Sequence, residues 1–557
     1  MHPSVEERLD RLAPDQRAAA VAPPGPVLCV APAGSGKTTT LVARVAWLVD
    51  DGLAASAITV VAFNKRAAEE LTARLDAALE PIGSAAGAVR VRTFHALGRE
   101  MLVEAGVPVE PLVDRDALLR DLYPGIAPVD RGRLDLAFSR LKLDLRVTAD
   151  DIARDPSPGP VARAYVTYER AIADGGGVDF DDLVVRALRL LQDDDRALAR
   201  WRARCRELLV DEAQDLDRSQ LELALLLAAP ANRVFLVGDD DQTIYGWRLA
   251  DVRRVLGLAA ALPGLRRVDL TTNYRCPRPV VERAVRLVEH NQERFAKRIV
   301  AGPAAAGRLV LAPDGADDLV RITRAIRSWP DDESTRAVLA RTNRELLVAV
   351  IAAVELGLPF RAPELPLPIE DPRIDELLAR ALPDAVVEPG TPLLPRLGTL
   401  RAAVRLETDT AGLGSGGDAT WIDPADGPSL PDLATALIGW AASFRTLDAL
   451  QAGITVRRAR LADLRRDDAA LTLATAHGTK GLEWDHVVVL ADGFPGRRSI
   501  SDAAEPERAL EEERRLAYVA WTRARRSLTL LFDPEAPSRF LIEAFEPGEL
   551  GSGSAAA

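Results

Sequence analysis

Residues 33–38 read Ala-Gly-Ser-Gly-Lys-Thr and stand between an apolar run, VLCVAP, and an amphipathic stretch, TTLVARVAWLVDDG. Glycines at this spacing let backbone N–H groups converge on a phosphate, and a helix that follows adds the positive end of its dipole. A buried strand feeding directly into a helix, repeated along the chain, argues a doubly wound parallel α/β sheet. Within the loop Lys37 would reach the outer phosphates and the Thr38 hydroxyl would hold Mg²⁺, with Ala33, Gly34, Ser35, Gly36 and Thr39 completing the cradle. The strict GxxxxGK[ST] template wants glycine where Ala31 stands, so this loop is a variant.

The strand-and-helix alternation continues along the chain. ITVVAF, VRVRTF, ELLVDE and RVFLVGD extend a first set of short buried strands. A second set is expected to begin near RRVDLTTNYR and to run through RLVLAP, RAVLART, TLATAH, HVVVLAD and SLTLLF. Residues 99–180 turn helical and polar, whereas 361–430, rich in Pro and Gly, read as loops and short helices. At roughly 150 residues per domain, 557 residues hold three or four packing units. The organisation expected is two α/β cores, each interrupted by a mostly helical insertion.

Composition narrows the partners. The net charge of −12 (71 Lys and Arg against 83 Asp and Glu) argues against a uniformly basic binder. It leaves nucleic acid open, because such binding follows local basic tracks. Basic charge is nearly all arginine; the lysines are Lys37, Lys65, Lys142, Lys297 and Lys480. Cys29, Cys205 and Cys276 lie far apart without a CxxC, which argues against a disulfide framework or zinc site and for a reducing compartment. The N-terminus is charged from the start, and no uncharged apolar run approaches the roughly 18 residues of a membrane span. A soluble cytoplasmic protein is expected, with a disordered tail at GELGSGSAAA.

The second chemical signal is LLVDEAQD, residues 208–215. A buried strand ending in two carboxylates would place Asp211 on the Mg²⁺ shell and leave Glu212 to polarise water. With the phosphate loop this pair implies ATP hydrolysis. GDDDQTIYGWR (238–248), TFHALG (93–98), AFNKRAAEEL (62–71), DFDDL (179–183), NYR (273–275), TAHGTKGLEWD (475–485) and AYVAWTRAR (517–525) complete the set. In this order, from Gln16 to about Phe540, the chain resembles a superfamily 1 DNA helicase of the UvrD/Rep/PcrA type.

The resemblance implies two RecA-like cores, spanning 1–98 with 181–268 and 269–360 with 471–545. Their helical insertions would be 99–180 and a shortened 361–470, followed by a tail, 546–557. It implies that Gln16 and Tyr274 contact adenine, that Glu483 lies near the ribose, that Gln242 senses the γ-phosphate, and that Arg275 and Arg523 reach it across the cleft. An amide can donate to and accept from an adenine edge, and a planar guanidinium suits charge developing on a phosphoryl group. Catalysis would rest on Lys37, Asp211, Glu212, Gln242, Arg275 and Arg523.

Phe63, Asn64, Thr93, His95, Tyr245, Trp247, Arg248 and His477 would face single-stranded DNA. Aromatics at strand ends are core residues by composition alone. Their places in AFNKRAA and IYGWR favour base stacking for Phe63 and Trp247 and leave Tyr245 open between the two roles. Metal ligation by His95 or His477 is not expected, since no second ligand sits at a useful spacing. Arg457, Arg458, Arg460, Arg465 and Arg466 would track phosphates or, favoured by Asp463, Asp467 and Asp468, form a solvated paired face.

Three departures stand out. Thr39 replaces the arginine usual in close relatives, VAWTRA resembles a RecB-like variant, and the second insertion is short. No nuclease domain is expected after the second core. The activity implied is ATP-driven 3′-to-5′ movement on single strands and at single-strand/duplex junctions, with Mg²⁺, in repair or replication, by a monomer whose protein partners the residues do not name. A translocase that strips proteins without unwinding is the alternative. A non-motor scaffold would have lost catalytic residues, and these are all present.

Overall fold

The computed structural model describes residues 1–126, 128–303, 305–363, 365–381, 392–411, 429–496, 500 and 505–551. The phosphate-loop strand β1 (Val27–Val30) lies in a six-stranded sheet with β2 (Ile58–Val61), β3 (Arg90–Arg92), β4 (Glu207–Val210), β5 (Val234–Gly238) and β6 (Arg266–Asp269). The order is β3-β2-β4-β5-β1-β6, and every pairing is parallel. Helices cover both faces, so β1, β2, β4 and β5 read as continuous apolar runs instead of alternating ones. Alternation decides only which core a side chain joins. Leu28 and Val30 enter one apolar cluster, while Val27 and Cys29 enter the other.

A two-stranded parallel ribbon, β7 (Thr272–Asn273) with β8 (Val300–Ala301), leads into the second core. There β9 (Arg308–Pro313), β10 (Arg336–Ala340), β11 (Phe360–Arg361), β12 (Leu471–Thr475), β13 (Trp484–Leu490) and β14 (Ala524–Phe532) form another six-stranded parallel sheet, ordered β11-β12-β10-β13-β14-β9. The α/β class and its two parallel-sheet cores are therefore as expected.

Several segments differ from the sequence reading. RRVD does not open the second set of strands: Arg266–Asp269 pairs with β1 in register Val27↔Arg266 to Val30↔Asp269 and closes the edge of the first sheet. Its exposed Arg266 and Arg267 are what an edge strand carries, and they hide its membership. The boundary at 98/99 falls inside the helix Phe94–Glu104, whose Met101 and Leu102 belong to the first sheet's core. The first insertion builds a small core of its own around Leu119, Phe138, Tyr165 and Tyr168.

Within the Pro- and Gly-rich stretch 361–430, Leu393–Ala411 is one 19-residue helix. Pro395 lies in its first turn, where a missing N–H costs no intrahelical bond. Residues 382–391 and 412–428 lie outside the described residues. The tail expected to be disordered from 546 instead docks its first residues. Pro547–Gly551 is helical, Glu546 and Glu549 pair with Arg286 and Arg283, and 552–557 lie outside the described residues. The basic stretch is paired, as favoured, but mainly across elements: Arg458 with Asp375 and Arg465 with Glu370, beside Arg466 with Asp468.

One buried ion pair fixes the loop helix in the first core. Arg44, on the helix Lys37–Asp50, is fully buried, and its Nη2 donates to Glu207 Oε1 on β4 at 2.6 Å. Its Nη1 donates to the Ala22 carbonyl at 2.9 Å, at the end of the segment that carries Gln16. Removing one partner of such a pair strands a buried charge. Arg44→Met is expected to lose about 3–5 kcal/mol in urea unfolding; a loss below about 1 kcal/mol would show that Arg233, Glu207's other partner, suffices.

Candidate functional site

β4, β5 and β1 are adjacent, so the loops leaving their carboxyl ends meet in one crevice, where open parallel sheets bind ligands. In the loop after β1, Gly34 and Gly36 take φ of +67° and +83°, conformations that favour glycine. A Cβ on Gly34 would stand 2.7 Å from Asn273 Oδ1, so the loop lies tight against the second core. The Ser35 hydroxyl is buried without a hydrogen-bond partner, a donor left for a phosphate oxygen. Ala33 is buried, Thr38 half-buried and Thr39 exposed.

After β4, Glu212 takes φ +51°, uncommon for a residue with a side chain and a mark of functional turns. Lys37 Nζ lies 3.5 Å from Glu212 Oε1, and Gln214 Nε2 donates to Glu212 Oε2 at 2.6 Å. Burial raises the Glu212 carboxyl, but Lys37 and Lys480 outweigh it and keep the group ionised. Asp211 shifts the other way, raised by burial and then by the charge on Glu212. A divalent cation taken by the Asp211 carboxylate and the Thr38 hydroxyl would reverse that rise. Hard oxygen donors of this kind fit Mg²⁺.

After β5, Gln242 Nε2 donates to Asp239 Oδ2 at 2.7 Å, and its Oε1 accepts from Arg523 Nη2 of the second core at 3.3 Å. Arg523 is buried, donating through Nε to the Val519 carbonyl at 2.7 Å and through Nη1 to that of Leu482 at 3.2 Å. Burial, then the neighbouring Arg275, lowers its pKa to about 10. Arg275 and Glu483, expected at the γ-phosphate and the ribose, here form an ion pair at 2.5 Å, and Arg525 joins the same carboxylate at 3.0 Å. The Gln16 amide is also engaged: Oε1 accepts from the Ala13 N–H at 3.0 Å, and Nε2 donates to the Ser35 carbonyl at 2.8 Å. Tyr274 is exposed, its N–H donating to the Gly34 carbonyl at 2.9 Å.

The aromatic residues gather on an adjoining face. Phe63 and Tyr245 stack with centroids 5.3 Å apart, and Trp247, 46% exposed, meets Tyr245 edge-on at 6.1 Å. The Arg248 guanidinium covers the Trp247 ring at 4.6 Å. The half-buried Tyr245 donates its hydroxyl to the His477 carbonyl at 3.4 Å, which ties this face to the second core. His95 stacks on the exposed Phe180 at 3.9 Å. Burial lowers the pKa of both His95 and His477, so each ring is neutral at pH 7. Asn64 and Thr93 have local work instead: their side-chain oxygens cap helices, accepting from Ala67 N at 2.9 Å and Ala96 N at 3.2 Å.

The sequence reading missed Phe180, Lys297 and Lys480 as site residues. Lys480 Nζ bonds the Asp215 carboxylate and the Gln242 carbonyl (2.9 Å) and lies over the Tyr245 ring at 5.2 Å. Lys297 Nζ stands 2.8, 2.5 and 2.9 Å from Asp239, Asp240 and Asp241. The signal lay in the composition. Of the five lysines, Lys65 is exposed, Lys37 stands against the half-buried Glu212, and Lys142, Lys297 and Lys480 stand against buried carboxylates. In an arginine-dominated chain, lysine remains where a compact charge must serve several acceptors at once.

Residues 12–123 and 133–262 match the UvrD/REP helicase N-terminal domain, and 441–533 match the UvrD-like helicase C-terminal domain. DNA helicase II of Escherichia coli (strain K12) is 28% identical, over 96% of this chain and 87% of its own. ATP-dependent DNA helicase Rep of Salmonella typhimurium is 27% identical, over 96% and 94%. ATP-dependent DNA helicase PcrA of Staphylococcus epidermidis is 28% identical over 60% of this chain and 48% of its own.

Because Trp247 is exposed, Trp247→Ala is expected to leave stability within about 0.5 kcal/mol. Single-strand affinity should fall by about 1–3 kcal/mol, the worth of one stacked base. Melting temperature and oligo-dT binding measured on the same variant check both. A large loss of stability with unchanged affinity would return Trp247 to the core.

Proposed function

The chain belongs to the UvrD-like helicase family and is an ATP-dependent DNA helicase, and from that premise we propose that it moves 3′-to-5′ along single-stranded DNA and opens duplex ahead of it, in repair or replication. The observation that carries this reading is the continuity of one segment. Gln242 meets the arginine of the second core at one end, and Trp247 is exposed five residues later.

In this reading ATP occupies the crevice between the cores. Lys37 and the loop N–H groups hold its phosphates, and Thr38 with Asp211 would hold Mg²⁺, which neutralises phosphate charge when bound. Adenine lies at Tyr274 and Gln16, whose amide keeps a second N–H and a second carbonyl lone pair beside its two present bonds. Glu212, kept ionised by Lys37, orients the attacking water and takes its proton. Arg523 now donates to a neutral amide and Arg275 to Glu483; a γ-phosphate offers Arg523 a stronger acceptor, drawing it and Arg275 onto the developing charge. Loss of that phosphate returns Arg523 to Gln242. Alternating closure and opening advances the strand past Phe63, Tyr245 and Trp247, with Arg248, His95 and His477 beside it. Among the described residues no helix is long and apolar enough to cross a membrane. We place the protein in the cytoplasm as a monomer whose partners are single strands and duplex junctions.

The test is strand displacement on 3′-tailed and 5′-tailed duplexes with ATP and Mg²⁺. Displacement of the 3′-tailed substrate alone is expected. Preference for the 5′ tail would overturn the polarity, and ATP-driven translocation without displacement would favour the protein-stripping reading.

A further inference from the structure

The helix Pro506–Trp521, together with Arg523 just beyond its end, meets the segment 242–246 at Gln242, Ile244 and Gly246. At Gln242 the contact is the Arg523 guanidinium. At Ile244, fully buried, it is an apolar cluster containing Leu516, Val519 and Ala520 of that helix. At Gly246 it is Glu512, whose Oε1 accepts the backbone N–H at 2.9 Å. A Cβ on Gly246 would overlap this carboxylate, so the fit depends on glycine there.

Tyr245 lies between the Ile244 and Gly246 contacts, and Trp247 follows in the 3-10 turn Gly246–Arg248; the two rings meet on the aromatic face.

We propose that Glu512 is a positioning residue that clamps the base-stacking turn to the arginine-bearing helix, so that movement of Arg523 at the nucleotide carries Tyr245 and Trp247 with it. The clamp rests on the proposed ATP-driven movement on single strands and adds the residue that transmits it. Glu512 acts through the backbone of Gly246. A backbone N–H held by a carboxylate is a short charge-assisted bond, stiffer than apolar contact alone. Without it, the helix keeps its grip at Gln242 and Ile244 but no longer orients the turn beyond them.

The experiment compares wild type, Glu512→Ala, Glu512→Gln and Gly246→Ala. It measures ATP turnover with and without saturating oligo-dT, the change in oligo-dT affinity caused by a non-hydrolysable ATP analogue, and melting temperature. In Glu512→Ala the stimulation by oligo-dT should fall about tenfold, the range of ordinary coupling between sites, and the analogue should cease to change oligo-dT affinity. Glu512→Gln keeps an acceptor oxygen and should recover most of the coupling. Gly246→Ala displaces the carboxylate and should reproduce the loss, which carries the test should Glu512→Ala fail to fold. Wild-type stimulation in Glu512→Ala or Gly246→Ala overturns the clamp. So does an equal fall in basal and stimulated turnover with a lowered melting temperature, the mark of mere structural support. If wild type itself shows no stimulation by oligo-dT, the functional reading falls first and the clamp with it.

Discussion

Lys297 and Lys480 come from the second half of the chain, and the carboxylates they neutralise belong to the first core: Asp239, Asp240 and Asp241 for one, Asp215 for the other. Four buried carboxylates without partners would cost more than the crevice could recover by packing, and they would bind protons instead. Each lysine therefore ties the second half of the chain to the first core and orders the loops after β4 and β5, with Arg294 beside Lys297 at Asp241. Burial alone lowers the Lys297 pKa, but the three aspartates reverse that and hold the ammonium protonated. Gln242 inherits its place from this cluster, because Asp239 accepts both from Lys297 and from the Gln242 amide.

Beside these permanent ties stand exchangeable ones. Arg523 reaches Gln242 at 3.3 Å, a long bond to a neutral acceptor, while Gln16 bridges its own helix start and the phosphate loop. Such bonds yield to a stronger acceptor at small cost, whereas breaking the Lys297 cluster would strand several charges. The division suggests a cleft that changes at its arginines without separating at its lysines. Of the two lysines, Lys480 also lies over the Phe63 and Tyr245 rings.

Much of this was legible in the residues. The phosphate loop, the acidic strand end and the apolar runs specify two parallel sheets because a glycine loop between strand and helix, and strands buried on both faces, have few other solutions. β6 reads as the start of the second set of strands because its charged residues follow the pattern of an edge, which resembles a loop, although the boundary at 268 keeps most of it with the first core. The Leu393–Ala411 helix was hidden by prolines that fall at its start and harm nothing there. Motif position singled out Gln242 and Arg523, which the structure brings together, and Trp247, which it leaves exposed. It could not find Lys297 or Glu512, whose importance lies in partners 56 or more residues away in sequence. Nor could it show that Asn64 and Thr93 cap helices, or that Arg275 and Glu483 meet, since these depend on rotamers set by tertiary contacts.

The central claim is that a buried arginine of the second core leaves Gln242 for the transferred phosphoryl group. ATP turnover of Arg523→Lys at saturating ATP and oligo-dT tests it most directly. Lysine keeps the charge but not the fork that spans Gln242 and the Val519 and Leu482 carbonyls. Turnover should fall about 10³-fold or more, as for arginine fingers generally, while ATP affinity changes far less. Turnover within a few fold of wild type, at unchanged affinity, would mean that Arg523 only ties the helix end to β13 and that the phosphoryl charge is met elsewhere.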